Sequence, residues 1–455
     1  MEAGMSESPV IVVGAGPVGL AAAAELAERG IEPLVLELGE RAGAAVAEWS
    51  HVRLFSPWSE LVAPAAERLL LASGWSWPDR TAYPTGRDWI RDYLQPLADV
   101  LGGRVRHGVE VIGVARRGRD RVVDAGRDVE PLTVHIRQAD GEALLSARGV
   151  VDAAGTWGDP NPLGGDGLPA LGETAAADRI SYRAPDLADP AVRDRYAGRR
   201  VVVAGSGHSA LTALVALAPL AEADAATRIS WLLRRGQIGD TFGGGTADQL
   251  PARGALGQCA KQAVEAGLIE VVTGFRTQQV RRSRHGRLTL VPQSGRPLEG
   301  VDEVIALTGF RPDLSWLSEL RLDLDPVLQA PVGLAPLIDP NVHSCGTVYP
   351  HGVKELAHPE PNVYLAGMKS YGRAPTFLAM TGYEQVRSIA AALAGDREAA
   401  ERVDLVLPET GVCGGAGLFD QSTAAGSRSS VRRPPPIQTP TRPLGDLNTT
   451  RGYRC

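Results

Sequence analysis

The chain has 455 residues, room for two or three domains with sizeable cores, and its 44% apolar and 22% charged composition is that of an ordinary globular protein. A formal net charge of −6, with basic residues dispersed until the last few dozen positions, leaves no electrostatic footprint for nucleic acid. No apolar stretch reaches the roughly 20 residues of a membrane span, and positions 1–9 lack the basic region and apolar core of a secretion signal, so a cytoplasmic location is expected.

The first predicted unit is a buried strand over 8–13, a turn carrying Gly14, Gly16, Pro17 and Gly19, and a helix over 19–29 stopped by Gly30. A strand turning through glycines into a helix lets backbone approach a pyrophosphate and lays that anion on a helix N-terminus. The second strand, 33–36, ends in Glu37, about 20 residues beyond the last glycine, where a carboxylate can accept hydrogen bonds from an adenosine ribose.

Between residues 41 and 84 the periodicity fades while tryptophan, proline and small residues accumulate. The stretch is too long for an ordinary connection and too apolar for disorder, so it is expected to pack over a ligand, with His51 and Arg53 as its candidate hydrogen-bonding side chains. A helix is predicted from the Tyr83–Trp89 segment through Leu101. Alternating segments at 105–114, including Val109, and at 132–136 predict a strand layer, and 150–156 returns as a buried strand ending in Ala153-Ala154-Gly155.

A stretch rich in Pro, Gly and Asp over 160–198 suits a crossing between domains. A second glycine turn follows, with Gly205, Gly207 and Ala210 after the run 201–204 and a helix predicted over 209–221. Its next strand, 228–233, ends in Arg234-Arg235, placing guanidiniums where the first unit has an acid. Arginine there can pair with a 2′-phosphate, which favours NADPH over NADH. Two such turns imply two dinucleotides, and so an electron path from nicotinamide to a bound flavin. Buried strands over 304–307, ending in Thr308-Gly309, and 363–366, ending in Gly367, precede a helix-rich run over 377–394. Beyond about position 408 the composition predicts disorder.

In this order, the motifs at Gly14, Gly16, Gly19 and Glu37, at Asp152–Gly155, at Gly205, Gly207 and Ala210, and at Thr308-Gly309 resemble those of FAD- and NAD(P)H-dependent flavoproteins, in particular the flavin-containing monooxygenase-like branch. The resemblance covers about positions 8–395. It implies an α/β fold of two Rossmann-like dinucleotide-binding domains, the NAD(P)H domain inserted into the FAD domain. The corresponding boundaries are 1–158 and 313–400 for the two parts of the FAD domain, 159–312 for the NAD(P)H domain and 401–455 for a mostly disordered tail.

Gly14, Gly16, Pro17, Gly19, Glu37, Val109, Ala154 and Gly155 are thereby expected at FAD, with Gly367, Thr376 and Phe377 closing the flavin site. Gly205, Gly207, Ala210, Arg234 and Arg235 are expected to hold NADPH, and Gly309, at a crossing, to border a cofactor. The chain departs from the family pattern in two places. Met368 follows the late glycine where relatives carry an acid, and the region 172–182 lacks the Phe and His of the hallmark Phe-x-Gly-x-x-x-His.

Three destinations for the electrons remain open. One is molecular oxygen, through a C4a-hydroperoxyflavin that oxygenates a small nitrogen, sulfur or other soft nucleophile. Another is a disulfide or other acceptor, as in thioredoxin-reductase-like relatives, and the last is no turnover at all, in a flavin redox sensor. Cys259, Cys345, Cys413 and Cys455 are too far apart in sequence for a short redox motif or a metal site, and reduced thiols are expected. Cys345, flanked by histidines at 343, 351 and 358, is the candidate reactive thiol. The expected partners are a small-molecule substrate and oxygen, without nucleic acid, membrane or metal; a homo-oligomer is left open.

Overall fold

The computed structural model describes residues 8–245, 248, 250–342, 350–375 and 377–405. The chain opens with β1 (Val10–Val13), buried at every position, and α1 (Pro17–Glu28), where Pro17 in the first turn has no backbone N–H to leave unsatisfied. β2 (Pro33–Leu36) follows, then the covering segment with α2 (Pro64–Ala72) inside it.

The expected helix through Leu101 begins at Gly86, capped reciprocally by Thr85 and Asp88, and widens to a π-helical turn over Ile90–Leu94 before Gln95–Leu101. Pro96 lies just after that turn. Without an N–H it cannot join the α-helical ladder, and a wider turn accommodates its ring. The alternating segment 105–114 is two strands in different sheets: β3 (Val105–Arg106) is separated from β4 (Glu110–Arg116) by Gly108 at φ +67°. β5 (Leu132–Gln138) and β6 (Gly141–Ala147) complete an antiparallel sheet with β4, and β7 (Gly149–Asp152) returns to the side of β1.

A second unit repeats the first. It comprises β8 (Ile180–Ser181), β9 (Arg200–Ala204), α3 (His208–Ala223), β10 (Arg228–Leu232), α4 (Pro251–Glu265) and β11 (Ile269–Val272). An antiparallel trio, β12 (Thr277–Arg282), β13 (Leu288–Pro292) and β14 (Leu298–Val301), precedes β15 (Glu303–Ala306). The chain then returns to the first sheet through β16 (Val363–Leu365) and ends in α5 (Ala379–Leu393) and a short helix.

The two parallel sheets run β16-β7-β1-β2-β3 and β11-β10-β9-β15-β8. In each, the strand leading into a glycine turn is flanked by the strand after its helix and by the strand that ends in a crossing segment. The fold is therefore the expected α/β arrangement, with the second Rossmann-like unit inserted between β7 and β16. α1, α2, the 86–101 helical run and α5 bury one apolar core, and β4–β6 cover the other side of the first sheet. Among the described residues no helix is long and apolar enough to cross a membrane.

One buried ion triad holds the antiparallel layer to the lead-in of β16. Glu360 receives Arg116 at 2.7 Å and Arg127 at 2.5 Å, and all three side chains are almost fully buried. Burial alone would raise the Glu360 carboxyl, but hydrogen bonds from Arg127 and Arg116 outweigh it and hold the pKa below its ordinary 4.5. A depressed carboxyl contributes stability above its unfolded pKa and loses it as pH falls through the folded value. Glu360→Gln leaves two buried guanidiniums uncompensated, an expected loss of about 3–5 kcal/mol. Thermal unfolding should show that loss at pH 7, together with a flatter acid limb below pH 4.5 than in the parent.

Candidate cofactor and substrate site

The first turn is built by contacts that admit only glycine. Gly14 has φ +96°, and a Cβ on it would lie 2.9 Å from the Ala153 carbonyl oxygen; a Cβ on Gly19 would lie 1.9 Å from the Gly14 oxygen. Gly16 differs. It caps α1 with extended backbone, and nothing lies within 4 Å of its Cβ direction. The turn is thus packed tight behind and open in front, which fits the approach of a pyrophosphate to a helix N-terminus.

Glu37 sits at the end of β2, where Ala15 N–H donates to one carboxylate oxygen at 2.6 Å and Gly39 N–H to the other at 2.8 Å. Each oxygen keeps a second lone-pair direction for a ribose hydroxyl. Val109 is buried, and its N–H donates to the Glu37 carbonyl at 2.9 Å, which sets its backbone beside the end of β2.

The second turn has the same anatomy. Gly205 at φ +133° would place a Cβ 2.2 Å from the Leu307 oxygen, Ala210 is fully buried, and Gly207 caps α3 with open space at its Cβ. Arg235 reaches back to the Ser206 hydroxyl in the turn at 3.3 Å. Desolvation, then the nearby cations of Arg276 and Arg235, lower the pKa of Arg234. Three guanidiniums therefore meet beyond β10, of which sequence reading finds two, because Arg276 arrives from the connection after β11.

The two crossings are pinned together. Asn161 and Thr308 exchange hydrogen bonds at 3.0 and 2.7 Å, Arg311 donates to the Asn161 side chain at 2.6 Å, and Gly309 has φ +95°. Ala154 N–H is held by the Asp152 carboxylate at 3.0 Å, and Gly155 has φ +69°. Arg183 spans the seam: it donates to the Trp157 carbonyl at 2.6 Å, lies 4.0 Å over the Trp157 ring and 5.2 Å from the Phe310 ring, and pairs with Glu48 of the covering segment at 3.4 Å.

The late segment closes on the first turn. Gly367, at φ +67°, faces Val18 of α1, and its N–H donates to Gln385 of α5 at 2.8 Å. Gln385 also bonds Ser370 and His351, all buried, while Phe377 packs edge-on against Tyr371 at 5.1 Å. Thr376 lies outside the described residues. Two residues after the late glycine, Lys369 is buried and paired with Asp152 at 3.0 Å. No local pattern signals that pair; its partners meet only when β7 and β16 lie side by side.

The covering segment is a pinned structure. Leu54, Trp58, Gly86 and Arg87 make backbone hydrogen bonds across 50–59 and 80–87, and Trp58 is buried in the core under it. Arg53 is exposed and donates to the Tyr83 carbonyl, so it braces this segment. His51 bonds the Pro185 carbonyl and leaves Nε2 buried without a partner; burial, against an opposing Asp186, lowers its pKa. Phe55 reaches across to the first turn of α3 and meets His208 edge-on at 5.3 Å. Burial, then Arg253, pushes His208 down to about 4, leaving it neutral at physiological pH. Arg253, beyond the Gly243–Gly245 loop, forks onto Asp248 at 2.7–3.1 Å.

One cysteine expectation is corrected. Cys259, buried in α4, is disulfide-bonded rather than a reduced thiol. Sequence separation conceals such a bond, because folding alone decides which distant cysteines meet. Cys345, Cys413 and Cys455 lie outside the described residues, as does the tail from 406 on.

Known proteins share this arrangement. The chain is 29% identical over 203 residues to the indole-3-pyruvate monooxygenase YUCCA1 of Oryza sativa subsp. japonica, an alignment covering 44% of this chain and spanning 43% of that relative's length. Its fold matches the bacillithiol disulfide reductase of Bacillus cereus at TM-score 0.62 and 21% identity, over 85% of this chain and 99% of that one. It also matches a flavin-containing monooxygenase from Stenotrophomonas maltophilia at TM-score 0.55 and 21% identity, over 85% and 98%. The profile of the pyridine nucleotide-disulphide oxidoreductases, enzymes that use FAD and NAD(P)H, matches residues 11–330, and the chain belongs to that family.

Proposed function

We propose that this flavin-dependent pyridine nucleotide oxidoreductase is an NADPH-dependent monooxygenase acting on a small nitrogen or sulfur nucleophile. The observation that carries this reading is the covering segment, a fixed aromatic roof joined to the second turn through Phe55 and His208. Reduced flavin yields a useful oxidant only where water is excluded, and a roof resting on the nicotinamide half keeps the spent nucleotide in place. When bound, FAD takes a hydride from NADPH and passes electrons to oxygen.

The chain's own residues bind and enclose. Gly16 and α1 would carry the FAD pyrophosphate, and Glu37 the adenosine ribose. Gly207 and α3 would carry that of NADPH, with Arg234, Arg235 and Arg276 around its 2′-phosphate. Burial lowers the His51 pKa and so disfavours a charge on its ring. The reading calls for no acid-base pair.

A second reading, electron delivery to a disulfide, is favoured by the Cys259 bond. Anaerobic titration separates the two: one NADPH per flavin fits the first reading, and two, with Cys259 becoming alkylatable, fits the second. Mixing the reduced protein with oxygenated buffer should then produce a blue-shifted flavin absorbance lasting seconds or longer. Immediate return of the oxidised spectrum with full release of hydrogen peroxide would sink the monooxygenase reading.

Gly207→Ala keeps FAD and the fold, since nothing described occupies its Cβ space, but slows flavin reduction on the order of a hundredfold. Gly16→Ala should instead lower FAD content, read from the ratio of visible to protein absorbance. Replacing Arg234 and Arg235 with serine should narrow the preference for NADPH over NADH by roughly tenfold or more, measured as kcat/KM for each nucleotide.

A further inference from the structure

Two segments grip the first glycine turn. On one side the backbone after β7 forms its rear wall: Ala153 N–H donates to the Val13 carbonyl at 3.0 Å, a Cβ on Gly14 would lie 3.0 Å from Ala154 Cα, and one on Gly19 would lie 3.5 Å from the Ala153 methyl. On the other side the backbone after β16 presses on the start of α1, where a Cβ on Gly367 would lie 3.1 Å from Cγ2 of Val18.

One ion pair ties the two segments to each other. Asp152 is the last residue of β7, and one of its carboxylate oxygens takes the Ala154 N–H at 3.0 Å, which bends the chain into the rear wall. The other oxygen faces the Lys369 ammonium at 3.0 Å, two residues beyond Gly367. The Asp152 carbonyl accepts from Ala366 N–H at 2.9 Å, so backbone and side chain of one residue reach both segments. Both charged side chains are buried, Asp152 at 0% exposure and Lys369 at 2%. Lys369 Nζ stands 5.0 Å from the Trp316 ring centroid, and Asp313, on the same linker, adds negative charge near the pair.

We propose that Lys369 is a positioning residue for FAD: paired with Asp152, it sets the spacing of the two segments and so holds the Gly14–Gly19 turn in the shape that receives the diphosphate. The proposal rests on the reading that this turn takes FAD. An apolar side chain would fill the same space without the desolvation cost of a buried ion pair; what the charges add is one preferred distance between segments that otherwise touch the turn separately.

Each partner is tolerated as an ion only beside the other. Without Lys369, burial and Asp313 both oppose ionisation of Asp152, so the turn keeps its shape while that carboxyl is protonated and loses it as pH rises. Without the Asp152 charge, burial opposes the Lys369 ammonium, against a partial counterweight from Asp313 and Trp316, and the shape is lost as pH falls.

The test follows release of FAD from the holoprotein on dilution, read as recovery of flavin fluorescence, between about pH 5.5 and about pH 8.5. Lys369→Met should release FAD faster as pH rises and Asp152→Asn faster as pH falls, each by up to about tenfold per pH unit. The double variant, an uncharged pair that keeps the acceptor for Ala154 N–H, should lose both pH dependences and recover part of the retention. Glu360→Gln, which breaks a buried ion group away from the turn, controls for lost stability and should release FAD at the parent rate. Melting temperature reports whether each variant is folded.

Release from Lys369→Met that is unchanged, or raised equally at every pH and not relieved by adding Asp152→Asn, overturns the proposal while the FAD reading stands, as does equal release from Glu360→Gln. Should Lys369→Met not fold, Asp152→Asn decides alone, by the direction of its pH dependence. A parent protein that takes up no FAD, or a Gly16→Ala variant that keeps it in full, overturns that reading and the proposal with it.

Discussion

A Cβ on Gly205 would sit 2.2 Å from the Leu307 carbonyl, and one on Gly14 would sit 2.9 Å from that of Ala153. Those two forbidden contacts organise the molecule. Each glycine turn is pressed by its first glycine against the end of the strand that leads into a crossing, so each turn lies beside a passage between the units. The second glycine of each turn has nothing within 4 Å of its Cβ direction, as the approach of backbone to a phosphate would require. Close packing behind and openness in front are two sides of one device, used twice, and they bring both crossings and both turns to a common seam.

What holds that seam is electrostatic and aromatic rather than a continuous apolar core. Lys369 and Asp152 form a buried pair between the late segment and β7. Burial raises the Asp152 carboxyl and Lys369 opposes the rise. A buried pair of this kind contributes modest net stability but makes alternative arrangements costly, because separating the partners strands a charge. The Asn161–Thr308 exchange and the Arg183 stack act similarly at the crossings. Specific geometry at the hinge is maintained by groups that are satisfied in one arrangement only.

Much of the fold was legible because its signals are local. Apolar runs ending in glycine mark β1, β9 and β16, and the acid after β2 and the arginines after β10 stand where strand ends put them. The π-helical turn before Pro96 and the split of 105–114 at Gly108 were not legible, since periodicity does not report a change of ladder or of sheet. The site was legible in part. Its glycines and Glu37 lie where their motif implies, whereas Arg276, Lys369, Arg183 and the anchor of His51 depend on contacts between distant residues. The Cys259 bond belongs to the same class: spacing argued for free thiols, and three-dimensional proximity decided otherwise.

The seam also bears on where the electrons go. A relay that serves nicotinamide and then a bulky disulfide at one flavin face needs the nicotinamide half to swing aside between steps. Here that half is tied to the first unit by the Arg183 stack, the Arg183–Glu48 pair and the Phe55–His208 contact, all of which a swing would break. Oxygen, the acceptor of the proposed reading, is small and imposes no such demand. On the proposed reading, the contacts between the two units favour a small acceptor over a large one through geometry at the hinge rather than through any group that touches the acceptor itself.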